Sequence, residues 1–338
     1  GCHAAMEGMP PLDVSGRQVS RFEFMSGRYF YIPVWFHWAW KILRYGRSGL
    51  PMLANPRFPL GGMVNESKIE IFDEVQGEAR ELLAPYTSFE RLPADSLEAA
   101  RANVETDLAA ALAAKEKAGI AYPFVIKPDI GCRGAGVRRI RDEAELRAYI
   151  AEFPPGFALI LQELIDKPGE AGVFYVRFPN DEAGFIFSLT LKYFPCVVGD
   201  GRATLRELIE ADPRARLLTR VYFPKLEARL DDVVRSGESV RLTFTGSHAR
   251  GAIFRDGAEY ITPEMTAAFD RLAKSIPEFY FGRFDIRFDD LESVRKGEGF
   301  HIIEVNGASS EATHIWDRKF TLWQAWKVIL KQFGHLWK

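Results

Sequence analysis

The chain has 338 residues, 47% of them hydrophobic, enough for one large or two to three small lobes with packed cores. Forty-four basic residues against 46 acidic ones give a formal charge of −2, which removes any global electrostatic argument for nucleic acid as a partner. The three cysteines, Cys2, Cys132 and Cys196, are odd in number and show no CxxC or zinc-type spacing, so a reducing compartment is the simplest reading.

In chain order, Gly1 to Met6 lack a basic stretch followed by an apolar core, and secretion is not expected. Residues 29–45, YFYIPVWFHWAWKILRY, concentrate aromatic side chains, with Lys41, Arg44 and Arg47 at the end. The stretch is short for a bilayer span and is interrupted by Pro33 and His37. It fits a helix lying in a membrane interface, or one packed on the protein's own core or on a second subunit of a homodimer. Pro51 to Gly62 reads as a connection, Glu66 to Leu83 as one amphipathic helix, and Ala94 to Gly119 as an Ala-rich helical region. Residues 122–127, YPFVIK, read as a buried strand, 130–137 as a Gly-rich turn and 143–153 as a helix. Strands are expected near 157–161, 172–178, 184–192, 239–245 and 281–288, with helices at 204–210 and 263–275. At the end, Leu322, Trp326, Ile329 and Phe333 follow helical spacing. The pattern is mixed α+β, without a repeat of fixed period.

Two places carry chemistry. Lys127 ends an apolar strand and is followed by Gly131, Cys132, Arg133, Gly134 and Gly136, a glycine turn whose N–H groups and cations suit a polyphosphate. The lysine precedes the glycines, which disfavours a Walker A loop, and no GxGxxG opens a helix, which disfavours a dinucleotide fingerprint. Nothing beside Cys132 forms a Cys-His pair, so it is not read as a nucleophile. Downstream, residues 282–288 (GRFDIRF) and 301–307 (HIIEVNG) deliver Asp285, Glu304 and Asn306, the hard oxygen ligands that a divalent ion bridging phosphates requires.

Taken together, the strand ending in Lys127-Pro128, the run Leu161 to Ile165, the Gly282 to Asp285 motif and the Ile303 to Asn306 motif resemble the ATP-grasp superfamily, within it the D-alanine:D-alanine ligase-like carboxylate-amine ligases. The resemblance runs from about Val64 to Asp317. It implies an α+β fold in which two α+β lobes clamp ATP. It divides the chain into an N-terminal aromatic-rich region, 1–63, and an ATP-grasp domain, 64–338, with a lid at about 122–162, a core at about 163–317 and a C-terminal helix at 318–338. The implied reaction joins a carboxylate to an amine through an acyl phosphate, releasing ADP and phosphate. A small-molecule kinase and a non-catalytic nucleotide-binding protein are the alternatives.

By the same resemblance, Lys127 contacts ATP phosphates, residues 131 to 136 (Gly131, Arg133, Gly134 and Gly136 among them) form the lid, and Gln162 to Ile165 form the hinge. Adenine is read by the backbone of Glu163 and Ile165, with Leu164 between them, and Glu170 holds the ribose. Lys192 binds phosphate, Lys68 matches a first phosphate lysine, and Asp285, Glu304 and Asn306 hold two Mg²⁺ ions, for which Mn²⁺ can substitute. Arg283 stabilises the tetrahedral intermediate. The chemistry wants these types in any case: cations offset the repulsion between a carboxylate and a γ-phosphate, and a closing lid keeps water from an acyl phosphate.

The chain departs from the ligase pattern in having only about sixty residues ahead of the first phosphate lysine. The stretch 197–208, VVGDGRATLREL, is locally similar to cyanophycin synthetase. Polar clusters at 246–251 and 307–314 nominate Arg250, His248, Ser310 and His314 for holding the carboxylate substrate or its partner, Arg250 as part of the catalytic set. The expected setting is cytoplasmic, with contact at the inner face of the membrane as an extension of the aromatic segment. Small-molecule carboxylate and amine substrates are expected, and no nucleic acid.

Overall fold

The structure is a computed structural model that describes residues 6, 8–63, 66–131 and 134–338; Arg133 and Cys132 of the glycine turn lie outside the described residues. Eleven strands occur among them: β1 Tyr86–Glu90, β2 Phe124–Pro128, β3 Arg138–Ile140, β4 Ala158–Glu163, β5 Gly169–Val176, β6 Phe185–Tyr193, β7 Cys196–Val198, β8 Ser239–Arg241, β9 Ile253–Asp256, β10 Phe281–Phe288 and β11 Phe300–Asn306. They form a four-stranded sheet in the order β1-β4-β2-β3, a five-stranded sheet β11-β10-β5-β6-β9, and the ribbon β7-β8. The fold is α+β.

Each sheet has its own core because each buries one face under helices. Phe124, Ile126, Leu159 and Leu161 of the small sheet pack on Leu108 and Ala111 of the helix Val104–Lys117 and on Leu146 and Ile150 of the helix Glu143–Glu152. On the large sheet, Val173, Phe284, Ile286 and Ile302 pack on Met265, Phe269 and Leu272 of the helix Pro263–Lys274. Alternation along β10 then sends Arg283, Asp285 and Arg287 to the opposite face, toward the small sheet. A long cleft separates the two sheets.

Several sequence expectations shift by local causes. The helix expected over Glu66 to Leu83 is two, Lys68–Glu74 and Gly77–Leu82, broken where Val75 and Gln76 are extended. Pro33 does not interrupt the aromatic helix Ile32–Tyr45. It sits in that helix's first turn, where a missing N–H costs nothing. Strands β1, β3, β7 and β9 and the helix Thr219–Leu226 were not expected. Cys196 is disulfide-bonded, which goes against the reducing compartment expected from the cysteine spacing.

The N-terminal region packs on the large sheet's far end. Phe22, Phe30 and Val34 join Phe174, Phe281 and Ile315, together with Ile329 and Phe333 of the C-terminal helix Leu322–Leu336, in one apolar cluster. Asn55 is fully buried beneath it: its Oδ1 accepts from the N–H groups of Tyr280 and Phe281 at 2.9 and 3.0 Å, and its Nδ2 donates to Phe281 O at 2.8 Å.

Candidate active site

The cleft encloses about 710 Å³ and is lined from both sheets, from the N-terminal segment and from the 244–249 loop. Its floor is the polar face of the large sheet. Arg283 donates from Nε and Nη2 to the two oxygens of Asp285 at 2.9 and 3.1 Å. Lys192 Nζ stands 3.0 Å from Asp285 Oδ1 and 3.1 Å from Glu170 Oε1, and Arg287 Nη2 is 2.8 Å from Glu170 Oε2. Charges thus alternate across β10, β5 and β6, which is the arrangement that lets buried ions persist. Burial works against both partners, yet the Arg283 and Lys192 cations hold Asp285 well below the usual carboxylate range. Lys192, likewise opposed by burial, is pushed up by Asp285 and Glu170.

Glycine makes the floor possible at Gly172, where a Cβ would meet Arg283 Cδ and Asp285 Oδ1, each at 3.1 Å. Register places Glu304 opposite Asp285 and Asn306 opposite Arg283. Asn306 Nδ2 lies 3.3 Å from Asp285 Oδ2, and all three predicted metal ligands line the cleft. Among the described residues, no three His, Cys, Asp or Glu side chains cluster as a metal site. The donor set is two carboxylates and an amide, which fits Mg²⁺ when phosphate and water complete the shell.

Lys127 faces this floor from the small sheet. It is buried, donating to Gln162 Oε1 at 2.8 Å and to Ile303 O at 3.2 Å. The pairing of β10 with β11 slips at Ile303, so its residue has no partner in the register and its carbonyl serves the lysine. Burial pushes Lys127 down to about 8, Glu304 opposing and Lys68 adding to the fall. Lys68 itself ties the glycine turn, donating to the carbonyls of Asp129 and Gly131 at 3.1 and 2.8 Å. Asp129 returns the contact, its Oδ1 accepting from Ser67 Oγ and from the Ile69 N–H.

The turn reaches across the cleft. Gly134, at φ +69°, leaves room for Ser247, whose Cβ would sit 3.2 Å from any Cβ there. Gly136, at φ +72°, accepts from the Tyr149 hydroxyl at 2.7 Å. At the hinge, Gln162, Glu163, Leu164 and Ile165 line the cleft, and the Glu163 N–H is taken by Pro85 O at 2.8 Å. Glu170 is buried with both oxygens engaged, and a Cβ on Gly246 would stand 1.7 Å from its Oε1.

The residues nominated for substrate divide. His248 and Ser310 line the cleft, whereas Arg250 and His314 do not. His248 bonds Glu23 at 3.1 Å and stacks on Trp316 at 5.0 Å. Ser310 Oγ donates to Gly307 O at 2.6 Å. His314 is buried against Phe320, its Nδ1 without a hydrogen-bond partner, and burial pushes its pKa down.

Among the lining residues that sequence reasoning missed, four make charged contacts. Glu66 accepts from the Gly307 N–H and from Ser309 Oγ, and burial, with Glu304 nearby, raises it to about 7. Arg287 was legible, since it continues the alternation of Arg283 and Asp285. Glu23 and Tyr31 come from the N-terminal segment, where nothing in the pattern marked them. Glu23 stands 2.5 Å from Arg214 Nη1, and Tyr31 donates its hydroxyl to the Glu311 carboxylate. The aromatic region therefore supplies one wall of the cleft.

No family model matches the chain. The cyanophycin synthetase of Crocosphaera subtropica is 27% identical over 213 residues, 57% of this chain and 24% of that protein. Over that stretch the chain is similar to cyanophycin synthetase. The cyanophycin synthetase of a Synechocystis species is 28% identical over 214 residues, with the same coverage, so the chain spans about a quarter of the length of the curated relatives it matches. Among solved structures, a D-Ala:D-Ser ligase from Enterococcus faecalis is 14% identical, with a TM-score of 0.41, over 82% of this chain and 62% of that one. A bifunctional glutathione synthetase from Pasteurella multocida is 15% identical, with a TM-score of 0.36, over 75% and 34% respectively.

Proposed function

We propose that the chain is an ATP-dependent ligase joining a small-molecule carboxylate to an amine through an acyl phosphate, with release of ADP and phosphate. The observation that carries this reading is the meeting of buried Lys127 from one sheet with Lys192, Arg283, Asp285, Glu304 and Asn306 from the other in one cleft. Similarity to cyanophycin synthetases over 57% of the chain agrees with it. Asp285, Glu304 and Asn306 would hold Mg²⁺, which neutralises phosphate charge when bound. Lys127 and Lys192 set fixed cations toward the phosphates, so the approach of an anionic carboxylate costs less. Arg283 can shift a donor from Asp285 to an oxyanion beside it. The hinge residues Glu163 to Ile165 suit an adenine edge, and the glycine turn, tied by Lys68, excludes water from the reacting centre. Glu23, Tyr31 and Ser310 form the wall against which the substrates sit.

The test is ADP release from Mg-ATP across pools of acids and amines, then a heavy-oxygen-labelled donor carboxylate for the pair that responds. Turnover that needs both substrates, with label in the released phosphate, is expected. A phosphorylated product with no labelled phosphate would show a kinase instead. Asp285→Asn and Glu304→Gln should each lower kcat by about 100-fold, and turnover left intact removes the metal assignment.

A further inference from the structure

The helix Ile32–Tyr45 presents two apolar faces, and the protein uses only one of them. Val34 and Trp38 face inward, Trp38 edge-on to Phe333 and Trp337 at 5.6 and 5.4 Å. The other face, Ile32, Trp35, Phe36, Ala39, Trp40 and Leu43, repeats at helical spacing and is exposed, Phe36 to 74% and Leu43 to 83%. An apolar stripe of this kind left open to water marks a surface that meets something.

Charge says what it meets. From Phe24 to Asn65 the sequence contains no Asp or Glu, but has Arg28, Lys41, Arg44, Arg47 and Arg57. From Arg318 to Lys338 it again contains no acid, but has Arg318, Lys319, Lys327, Lys331 and Lys338. The aromatic helix and the C-terminal helix pack together, so these segments gather ten of the 44 basic residues and none of the 46 acidic ones. The rest of the chain is correspondingly acidic. Lys327 also lies over the exposed ring of Trp323 at 5.5 Å. Three of the ten basic residues are paired with acids from outside these segments, Arg57 with Glu278, Arg318 with Asp13 and Lys319 with Asp256, and Lys41 is buried. That leaves Arg28, Arg44, Arg47, Lys327, Lys331 and Lys338, and aromatic side chains beside such cations are the composition of a segment lying at the boundary of an anionic bilayer. A second copy is the poorer occupant, since a twofold interface through this face would bring the same cations against each other. Among the described residues, no helix is long and apolar enough to cross a membrane, which leaves lying on the surface.

We infer that this face docks on the surface of an anionic lipid bilayer, with Trp35, Phe36, Trp40 and Leu43 entering the headgroup region and the acidic remainder of the chain turned away. The inference does not depend on the ligase reading. The docked face is not the cleft, although Tyr31, which begins this region, lines it.

The experiment is flotation of the full chain with vesicles of mixed phosphatidylcholine and phosphatidylglycerol, against vesicles of phosphatidylcholine alone. Binding to the anionic vesicles that weakens with added salt is expected, with little on the neutral ones. Combining Trp35→Ser, Phe36→Ser and Trp40→Ser should cut the bound fraction about tenfold or more, and Arg44→Glu with Arg47→Glu about tenfold. Should a variant fold poorly, the wild type answers alone: its tryptophan emission should shift to the blue on the anionic vesicles and be quenched when their acyl chains are brominated. Unchanged emission, or equal recovery on both vesicle types, overturns the inference. So does a concentration-dependent dimer that the triple substitution abolishes while no vesicle is bound.

Discussion

Glu66 is a carboxylate held where its charged form is disfavoured. Burial, with Glu304 close by, raises its pKa from 4.5 to about 7, and the Gly307 N–H recovers only part of the cost. The folded state therefore binds more protons than the unfolded one between those values. The stabilisation is complete below the unfolded pKa and is lost as pH rises through about 7. Glu66→Gln keeps an acceptor for Gly307 but removes the titration, so at about pH 8 it should be more stable than the parent by about 1–3 kcal/mol. Urea midpoints measured across this range check it, and parallel pH profiles for the two proteins would contradict it. The role was not legible in the sequence because it depends on Gly307, 241 residues away, approaching the start of a helix. Asp285, Glu304 and Asn306 were legible because a strand's alternation gathers them whatever lies elsewhere.

At the scale of elements, the sheets were readable and their irregularities were not. The bounds of β10 match the expected apolar run, since alternating Phe and Ile pack one face while charges take the other. The slip at Ile303 has no sequence sign, yet it gives Lys127 a carbonyl partner. The break before Gly77 was hidden because the apolar spacing continues across it. The 244–249 loop offers a sharper case. Gly246 lies against the Glu170 carboxylate so closely that a methyl group there would displace it from Lys192 and Arg287. Gly246→Ala should then cost roughly 2–4 kcal/mol, the scale of a disturbed buried ion pair, and raise the KM for ATP. Gly49→Ala, with nothing within 4 Å of the new carbon, is the control. Equal melting temperatures and equal KM values for the two variants would contradict the packing argument.

Across the whole molecule, the region ahead of the glycine turn is part of the body, which its aromatic composition alone left undecided between core, partner and membrane. One helix carries a covered apolar face and an open one, and only the structure separates them, because periodicity shows two apolar faces without saying which is covered. The inner face should behave as core. Phe22, Phe30 and Val34 are buried at 4% exposure or less, and each such side chain contributes about 1.5–3 kcal/mol when taken from water. They cover Phe174, Phe281 and Phe333, which would otherwise open to solvent. Removing the chain through Gly46 should therefore yield a protein that aggregates or unfolds without a cooperative transition, and Phe30→Ala alone should cost about 3–5 kcal/mol. Leu43→Gln on the outer face should change stability by no more than about 0.5 kcal/mol, while weakening vesicle recovery. Calorimetry with flotation on the same preparations separates the two faces. A truncated chain that melts like the parent would mean that the inner face is not core, and an unstable Leu43→Gln would mean that the outer face is not free.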